Sequence, residues 1–291
     1  MDRYCVMGNP VAHSRSPWIH ARFAELTGQT LAYERQLAPL DGFAATVQAF
    51  RSAGGRGCNV TVPFKHEAAA LASWQSPGVT LAGAANTLHF DGDAIRAHNT
   101  DGHGLVADII HNAGVPLAGQ EVLLIGAGGA AAGVLGPLIG QQPRRIVIAN
   151  RTHSRADTLV QRHAALAAMD GVTLQACGLD PAGCAGAPGD APLAAGFDVV
   201  INATASSLGG AAVPVPASVL KPGALALDMM YGPAAQGFMD WAAAHGAVPR
   251  DGLGMLVEQA AESFLVWRGV RPPSKQVLTE LRALIDNAAT P

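Results

Sequence analysis

Residues 122–140, VLLIGAGGAAAGVLGPLIG, constrain the fold of this chain more than any other stretch. The segment carries no charge and is nearly long enough to cross a bilayer. It also holds six glycines and Pro137, which break a spanning helix, and no second segment resembles it. The better reading is a buried strand, a tight glycine turn and a helix. Gly126, Gly128 and Ala131 then stand in a G-x-G-x-x-A spacing, which lets the backbone approach a pyrophosphate at the helix N-terminus. Alone, that spacing is a weak signal in a chain with 34 glycines.

Its neighbours sharpen it. EVLLIG, RRIVIAN, FDVVINA and ALALDMM read as four short buried strands, the pattern of a doubly wound dinucleotide-binding domain. The first hundred residues alternate YCVMG, LAYERQL and GCNVTVP with helical patterns at 17–26, at 41–52 and after Lys65. This βαβ rhythm predicts a second α/β sheet with parallel strands. NTLHFDGDAIRAHN predicts a small hairpin turning at Asp91-Gly92-Asp93. Residues 182–196, low in complexity, read as a surface loop, and 255–289 are helical in period. The expected α/β organisation is a substrate-binding and catalytic domain of residues 1–102 with 255–291, and a Rossmann-type domain of residues 103–254. The active site is expected in the cleft between them.

At 291 residues the chain is comfortable for two domains, and with 49% apolar and 14% charged residues it reads as globular. A formal charge of −3 argues against a broad electrostatic hold on nucleic acid or anionic lipid. The four cysteines form no CxxC pattern and the ten histidines no HExxH, so no metal site is expected. Nothing at the N-terminus looks like a signal peptide. The expectation is therefore a cytoplasmic protein, monomer or homodimer, with reduced thiols acting as small buried hydrophobes and a small-molecule substrate.

The strand RRIVIAN ends in Asn150-Arg151-Thr152, with Arg155 shortly after. An NAD site calls for an acid at this point to accept from the ribose 2′-hydroxyl. Here the acid is missing and two guanidinium groups are present, which is the chemistry of a 2′-phosphate. The cofactor expected is NADP.

Two stretches of the first domain carry further chemistry. In GNPVAHSRSPWIH, Ser14 and Ser16 precede a helix that Pro17 can start, although Ser16 also suits a plain N-cap. In NVTVPFKHEA a strand breaks at Pro63 and Lys65 follows at the start of a helix, where an acid is more comfortable than a cation. Each residue has an ordinary structural alternative: Lys65 as a snorkelling lysine, Asp101 and Asn86 as turn or cap residues. Gln259 suits a polar helix face, Tyr231 loop packing, and Asn59 and Thr61 strand hydrogen bonding.

Taken together and in order, GNPVAHSRSPWIH, GCNVTVPFKHEA, AGAANTL, NTDGHG, GAGGAA, NRTHSR, INATASSLGG, LDMMYGP and DGLGMLVEQAAESF resemble the shikimate dehydrogenase family from residue 4 to about 268. The resemblance implies that Lys65 and Asp101 are the catalytic pair. It implies that Ser14 and Ser16 hold a substrate carboxylate in a pocket shared by Asn59, Thr61, Asn86, Tyr231 and Gln259. The cofactor-binding positions it implies are Gly126, Ala127, Gly128, Gly129, Ala130, Asn150, Arg151, Thr152, Arg155, Thr204, Met229 and Gly252. The implied reaction is hydride transfer from NADPH to the C3 carbonyl of 3-dehydroshikimate, with Lys65/Asp101 supplying the proton. Gln236 stands where relatives often carry a threonine, read here as loop variation. Competing readings are an enzyme of dual quinate/shikimate specificity and a ligand-sensing homologue that has kept the fold.

Overall fold

The computed structural model describes residues 1–179, 193, 196–204 and 213–289, and within them two compact units, Met1–Leu105 with Leu256–Pro291, and Val106–Met255. Most of the segment read as a surface loop, with Cys184, lies outside the described residues.

In the first unit β1 (Asp2–Gly8), β2 (Leu31–Leu37), β3 (Gly55–Val60), β4 (Trp74–Gln75), β5 (Thr87–Asp91) and β6 (Ala94–His98) form one sheet in the order β2-β1-β3-β5-β6-β4. The expected parallel strands are found where β1 pairs with β2 and β3 and where β4 pairs with β6, whereas β5, in the expected hairpin with β6, also runs antiparallel to β3. The expected hairpin is thus not an appendage but the middle of the sheet. Helices α1 (Ser16–Thr27), α2 (Phe43–Ser52), α3 (Lys65–Leu71) and α4 (Pro77–Ala82) connect these strands. Phe43 and Phe64 stack with centroids 4.8 Å apart inside the core, among Val47, Val60 and Leu88. Burial of Phe64 anchors the residue immediately before Lys65 in the core.

Helix α5 (Asp101–Ala107) passes into a π-helical turn, Asp108–Asn112. The second unit then builds β7 (Glu121–Ile125), β8 (Arg145–Ala149), β9 (Thr173–Cys177), β10 (Phe197–Asn202), β11 (Leu220–Asp228) and β12 (Val248–Arg250). Its order, β12-β11-β10-β7-β8-β9, is parallel throughout, which is the 3-2-1-4-5-6 arrangement of a doubly wound sheet. Four of its six strands match the apolar runs of the sequence. The other two, β9 and β12, are partly exposed edge strands without such runs. Every residue of β7 is buried, as expected of a central strand covered on both faces. Helices α6 (Gly129–Ile139), α7 (His153–Asp170) and α8 (Gln236–Ala244) complete the unit.

The last two helices are α9 (Leu253–Arg268) and α10 (Ser274–Ala289). From Leu256 onward they belong to the first unit, where Glu280 on α10 forms a two-pronged pair with Arg22 on α1 at 2.7 and 2.9 Å. Among the described residues no helix is long and apolar enough to cross a membrane.

Candidate active site

In the first unit the break after β3 sets the site. Thr61 N donates to Met7 O and Phe64 N to Thr61 O, so the chain turns at cis-Pro63 and Lys65 becomes the first residue of α3. Its carbonyl accepts from Ala85 N at 2.8 Å, tying α3 to the segment that carries Asn86. Asp101 is likewise the first residue of α5. Lys65 Nζ and Asp101 Oδ2 lie 2.5 Å apart, with side chains only 17% and 8% exposed. A carboxylate is favoured at a helix start and an ammonium is not, so Asp101 supplies the charge that the position of Lys65 lacks.

The other oxygen of Asp101 is held as well. Asn86 Nδ2 donates to Asp101 Oδ1 at 2.9 Å, to Thr100 Oγ1 at 2.8 Å and to Gln259 Oε1 at 3.2 Å, while Asn86 Oδ1 accepts from Thr100 N at 2.8 Å. Asn59 Nδ2 donates to Ser263 Oγ at 2.9 Å and Thr87 Oγ1 at 3.1 Å, and Thr87 Oγ1 donates to Asn86 Oδ1 at 2.9 Å. Lys65, Asp101, Asn86, Asn59 and Gln259, drawn from positions 59 to 259 of the sequence, therefore share one hydrogen-bonded network.

Helix α9 reads this network with one stripe. Gln259, Ser263 and Trp267 follow at four-residue steps, and Trp267 Nε1 donates to Leu88 O at 3.0 Å. Ser14 and Ser16 form a second element at the start of α1, where Ser14 Oγ and Ser16 Oγ are 3.2 Å apart and Ser16 N donates to Ser14 Oγ at 3.3 Å. Thr61 is half-buried beside the turn.

The sequence reading missed four members of this first-unit arrangement: Tyr33, Thr87, Thr100 and Ser263. Thr87 and Thr100 follow Asn86 and Asn99 directly, so a run of polar residues at the edges of the hairpin was the available signal. Tyr33 and Ser263 sit in patterns that read as an ordinary strand and helix.

The second unit carries the nucleotide features. Gly126 follows β7 with φ +112°, a conformation rarely open to other residues, and a Cβ there would lie 3.1 Å from Thr204 Cγ2 and 3.2 Å from Ala203 O. The glycine thus lets the end of β7 pass the end of β10 at the switch point of the sheet, where α/β sheets bind nucleotides. Gly128 precedes α6, and Gly129 and Ala130 open it, leaving the first-turn N–H groups of the helix for an anion. After β8, Asn150 Nδ2 donates to Thr152 O at 2.8 Å, and Thr152 leads into α7. Arg151 and Arg155 are exposed, and neither forms an ion pair among the described residues. This set fits a dinucleotide bearing an additional phosphate.

Thr204 donates its Oγ1 to Asn202 Oδ1 at 2.8 Å, and Asn202 Nδ2 donates to Asp228 Oδ2 at 2.9 Å. Asn202 and Asp228, buried at the ends of β10 and β11, were not singled out from the sequence. They hold the chain ends that present Thr204 and Met229, whose N–H donates to Asn202 O at 3.0 Å. Gly252 N donates to Met230 O at 2.8 Å. Tyr231, expected in the substrate pocket, belongs to the second unit and is half-buried just before the turn Gly232–Ala235. Gln236 bonds Asp240 within α8, as a local helix contact.

Comparison with known proteins covers both units. Residues 6–88 match the model of the shikimate dehydrogenase substrate binding domain, residues 107–176 that of shikimate / quinate 5-dehydrogenase, and residues 252–282 that of the shikimate 5'-dehydrogenase C-terminal domain. Shikimate dehydrogenase (NADP(+)) of Acidovorax sp. strain JS42 is 69% identical over 284 residues, covering 98% of this chain and 97% of that protein. The shikimate 5-dehydrogenase of Thermus thermophilus, solved in complex with NADP(H) and shikimate, superposes with a TM-score of 0.80 at 30% identity, over 97% of this chain and 99% of that one. An Ael1 enzyme from Pseudomonas putida gives a TM-score of 0.84 at 42% identity, over 97% and 98%.

Proposed function

The chain belongs to the shikimate dehydrogenase family, and on that premise we propose that it reversibly reduces 3-dehydroshikimate to shikimate in aromatic amino-acid biosynthesis, with Lys65 and Asp101 as its proton-transfer dyad. It is an NADP-dependent oxidoreductase acting on a CH–OH group. Reduction is the physiological direction that NADP use favours, and the cytoplasm is the proposed setting.

The observation that carries this reading is the 2.5 Å contact between Lys65 Nζ and Asp101 Oδ2, with Asp101 Oδ1 tethered by Asn86. NADPH supplies the hydride when bound. The protein's own task is to stabilise the oxygen that gains negative charge and to deliver a proton to it. Lys65 places an N–H donor for that oxygen, and Asp101 holds the ammonium in a site where burial and a helix start oppose it. In the oxidative direction the pair takes the hydroxyl proton. Asn59, Thr61, Asn86, Tyr231 and Gln259 orient the ring, and the hydroxyls of Ser14 and Ser16 bind the carboxylate. The glycine turn 126–130 receives the pyrophosphate, Asn150, Arg151, Thr152 and Arg155 the 2′-phosphate, and Thr204, Met229 and Gly252 the nicotinamide end.

The test is a set of initial rates with shikimate or quinate, each against NADP+ or NAD+. Shikimate with NADP+ should exceed the other three pairs by more than about tenfold, a difference of about 1.4 kcal/mol in the barrier. Comparable rates with quinate or NAD+ overturn the specificity, and inactivity with every pair overturns the enzymatic reading.

A further inference from the structure

The serine pair meets an anion with neutral hydroxyls, and such a grip is effective only if its geometry is fixed beforehand, because otherwise binding bears the ordering cost. Strand β2 supplies the means. Tyr33 and Arg35 are alternate residues and so point to one side of the strand. Arg35 donates both Nε and Nη2 to the carbonyl oxygen of Ser14, at 3.0 and 2.6 Å. Tyr33 donates its hydroxyl to Asn59 Oδ1 at 2.7 Å. Because the Asn86 carbonyl can only accept, Asn59 Nδ2 faces it, which leaves the amide oxygen toward the Tyr33 hydroxyl. Asn59 Nδ2 is thereby aimed at Thr87, Ser263 and the Asn86 carbonyl.

Tyr33 is itself held in place. Its ring lies flat on His20, with centroids 4.2 Å apart and planes within 6°, and His20 is fully buried beside Phe23, Phe264 and Trp267. Burial raises the Tyr33 hydroxyl well above the ordinary tyrosine range, with the Ser16 side chain acting in the opposite direction as a hydrogen-bond partner. The phenol therefore remains a neutral donor to Asn59 Oδ1. Two side chains of one strand thus bond the Ser14 carbonyl and the Asn59 amide oxygen.

We propose that Tyr33 and Arg35 are positioning residues for substrate binding: from β2 they fix the Ser14–Ser16 loop and the Asn59 amide in the arrangement that receives a carboxylate-bearing substrate. This inference rests on the function proposed above. Neither residue is assigned a contact with substrate or cofactor, so its effect belongs to the binding of one ligand. An arrangement needed equally in ground state and transition state changes KM and leaves kcat alone.

The experiment compares wild type, Tyr33→Phe, Arg35→Met and Ser16→Ala with shikimate and NADP+ varied in turn. Tyr33→Phe keeps the ring on His20 and removes only the hydroxyl, and Arg35 is exposed, so its replacement spares the core. Tyr33→Phe and Arg35→Met should each raise KM for shikimate by about tenfold, with kcat within about twofold and KM for NADP+ unchanged. Combining Tyr33→Phe with Ser16→Ala should raise KM by less than the product of the single effects, because the two act on one grip. Unchanged KM for shikimate in both β2 variants, while Ser16→Ala raises it, overturns the inference and leaves the proposed function standing. A fall in kcat, a rise in both KM values and a lower Tm together would mark a merely structural role and also overturn it. A wild-type protein inactive on shikimate with NADP+ overturns both.

Discussion

Lys65 Nζ and Asp101 Oδ2 meet at 2.5 Å although 36 residues separate them, and each is the first residue of its helix. The two helix starts treat them oppositely. The partial positive charge of α5 favours the Asp101 carboxylate, whereas that of α3 opposes the Lys65 ammonium. The carboxylate is thus well placed at its helix start and the ammonium is not. What keeps the pair together is neutral: Asn86 fixes the second carboxylate oxygen, and Ala85 N fixes the Lys65 carbonyl.

Replacing Lys65 should separate chemistry from cofactor binding. Lys65→Ala and Lys65→Met should lower kcat by about 10²–10⁴-fold, the range of general acid–base catalysis. Binding of NADP+ followed by fluorescence should keep its Kd, since the nucleotide residues lie in the other unit. Near-normal turnover in either variant removes Lys65 from the chemistry.

Asn86 holds Asp101 without touching Lys65. Asn86→Ala should cost about 1–3 kcal/mol of stability, because buried partners at Thr100 and Gln259 lose their donor. It should also lower kcat by roughly tenfold through the loosened carboxylate. Urea unfolding and initial rates measured on one preparation check both. Lost stability with unchanged kcat would make Asn86 a structural residue only.

Arg151 and Arg155 should decide between the two nicotinamide dinucleotides. The double substitution to Ala should raise KM for NADP+ by about 10–100-fold, or about 1.4–2.7 kcal/mol, and leave KM for NAD+ nearly unchanged. Being exposed, these residues should leave Tm within about 1 °C of wild type. An equal rise for both cofactors would mean that the arginines do not read the 2′-phosphate.

Gly254 is constrained by a buried ion pair. Asp108 is fully buried and takes two hydrogen bonds from Arg250, with Nη2 at 2.5 Å and Nε at 2.8 Å. A Cβ on Gly254 would fall on the Asp108 carboxylate. Gly254→Ala should therefore displace Asp108 from its guanidinium and destabilise the protein by about 3–5 kcal/mol, the cost of breaking a buried pair. Gly254 lies in α9 without a positive φ, so backbone strain adds nothing to this loss. Urea unfolding checks it, and a loss below about 1 kcal/mol would mean that the carboxylate moves aside without leaving its guanidinium.

Local chemistry made some of this legible and long-range pairing hid the rest. The glycine turn after β7, the arginines after β8 and the Asp91-Gly92-Asp93 turn are written in adjacent residues. The destination of the hairpin is not, because nothing near Thr87 says that β5 will pair antiparallel with β3. Strands β4, β9 and β12 lie at sheet edges, where a strand needs no continuous apolar run. In the site, Lys65 announced itself by breaking the helix-start rule, and Asp101 followed only through family resemblance. Tyr33 obeys every local rule: an aromatic in a strand beside a hydrophobic core is the ordinary case. Its contact with Asn59 depends on β1 lying between β2 and β3, and sequence spacing carries no record of that order.

His20 sets an acid limit on stability. Burial lowers its pKa from 6.5 to about 3, with the Asn59 side chain acting in the opposite direction, so the folded protein keeps the ring neutral. Below pH 6.5 the unfolded chain binds a proton at this position that the native state refuses until about pH 3. The contribution is therefore intact above pH 6.5 and lost as pH falls, by about 1.4 kcal/mol per pH unit. Between pH 7.5 and pH 5.0 the loss due to His20 should be about 2 kcal/mol. Burial lowers His89, His98 and His163 as well, with the same sign, so the whole protein should weaken by more. His20→Phe keeps a ring against Tyr33 and removes only this titration. Urea unfolding at the two pH values should show the variant losing about 2 kcal/mol less than wild type, whatever its absolute stability. Equal losses would mean that His20 is protonated in the native state and that the aromatic cage does not exclude the charge.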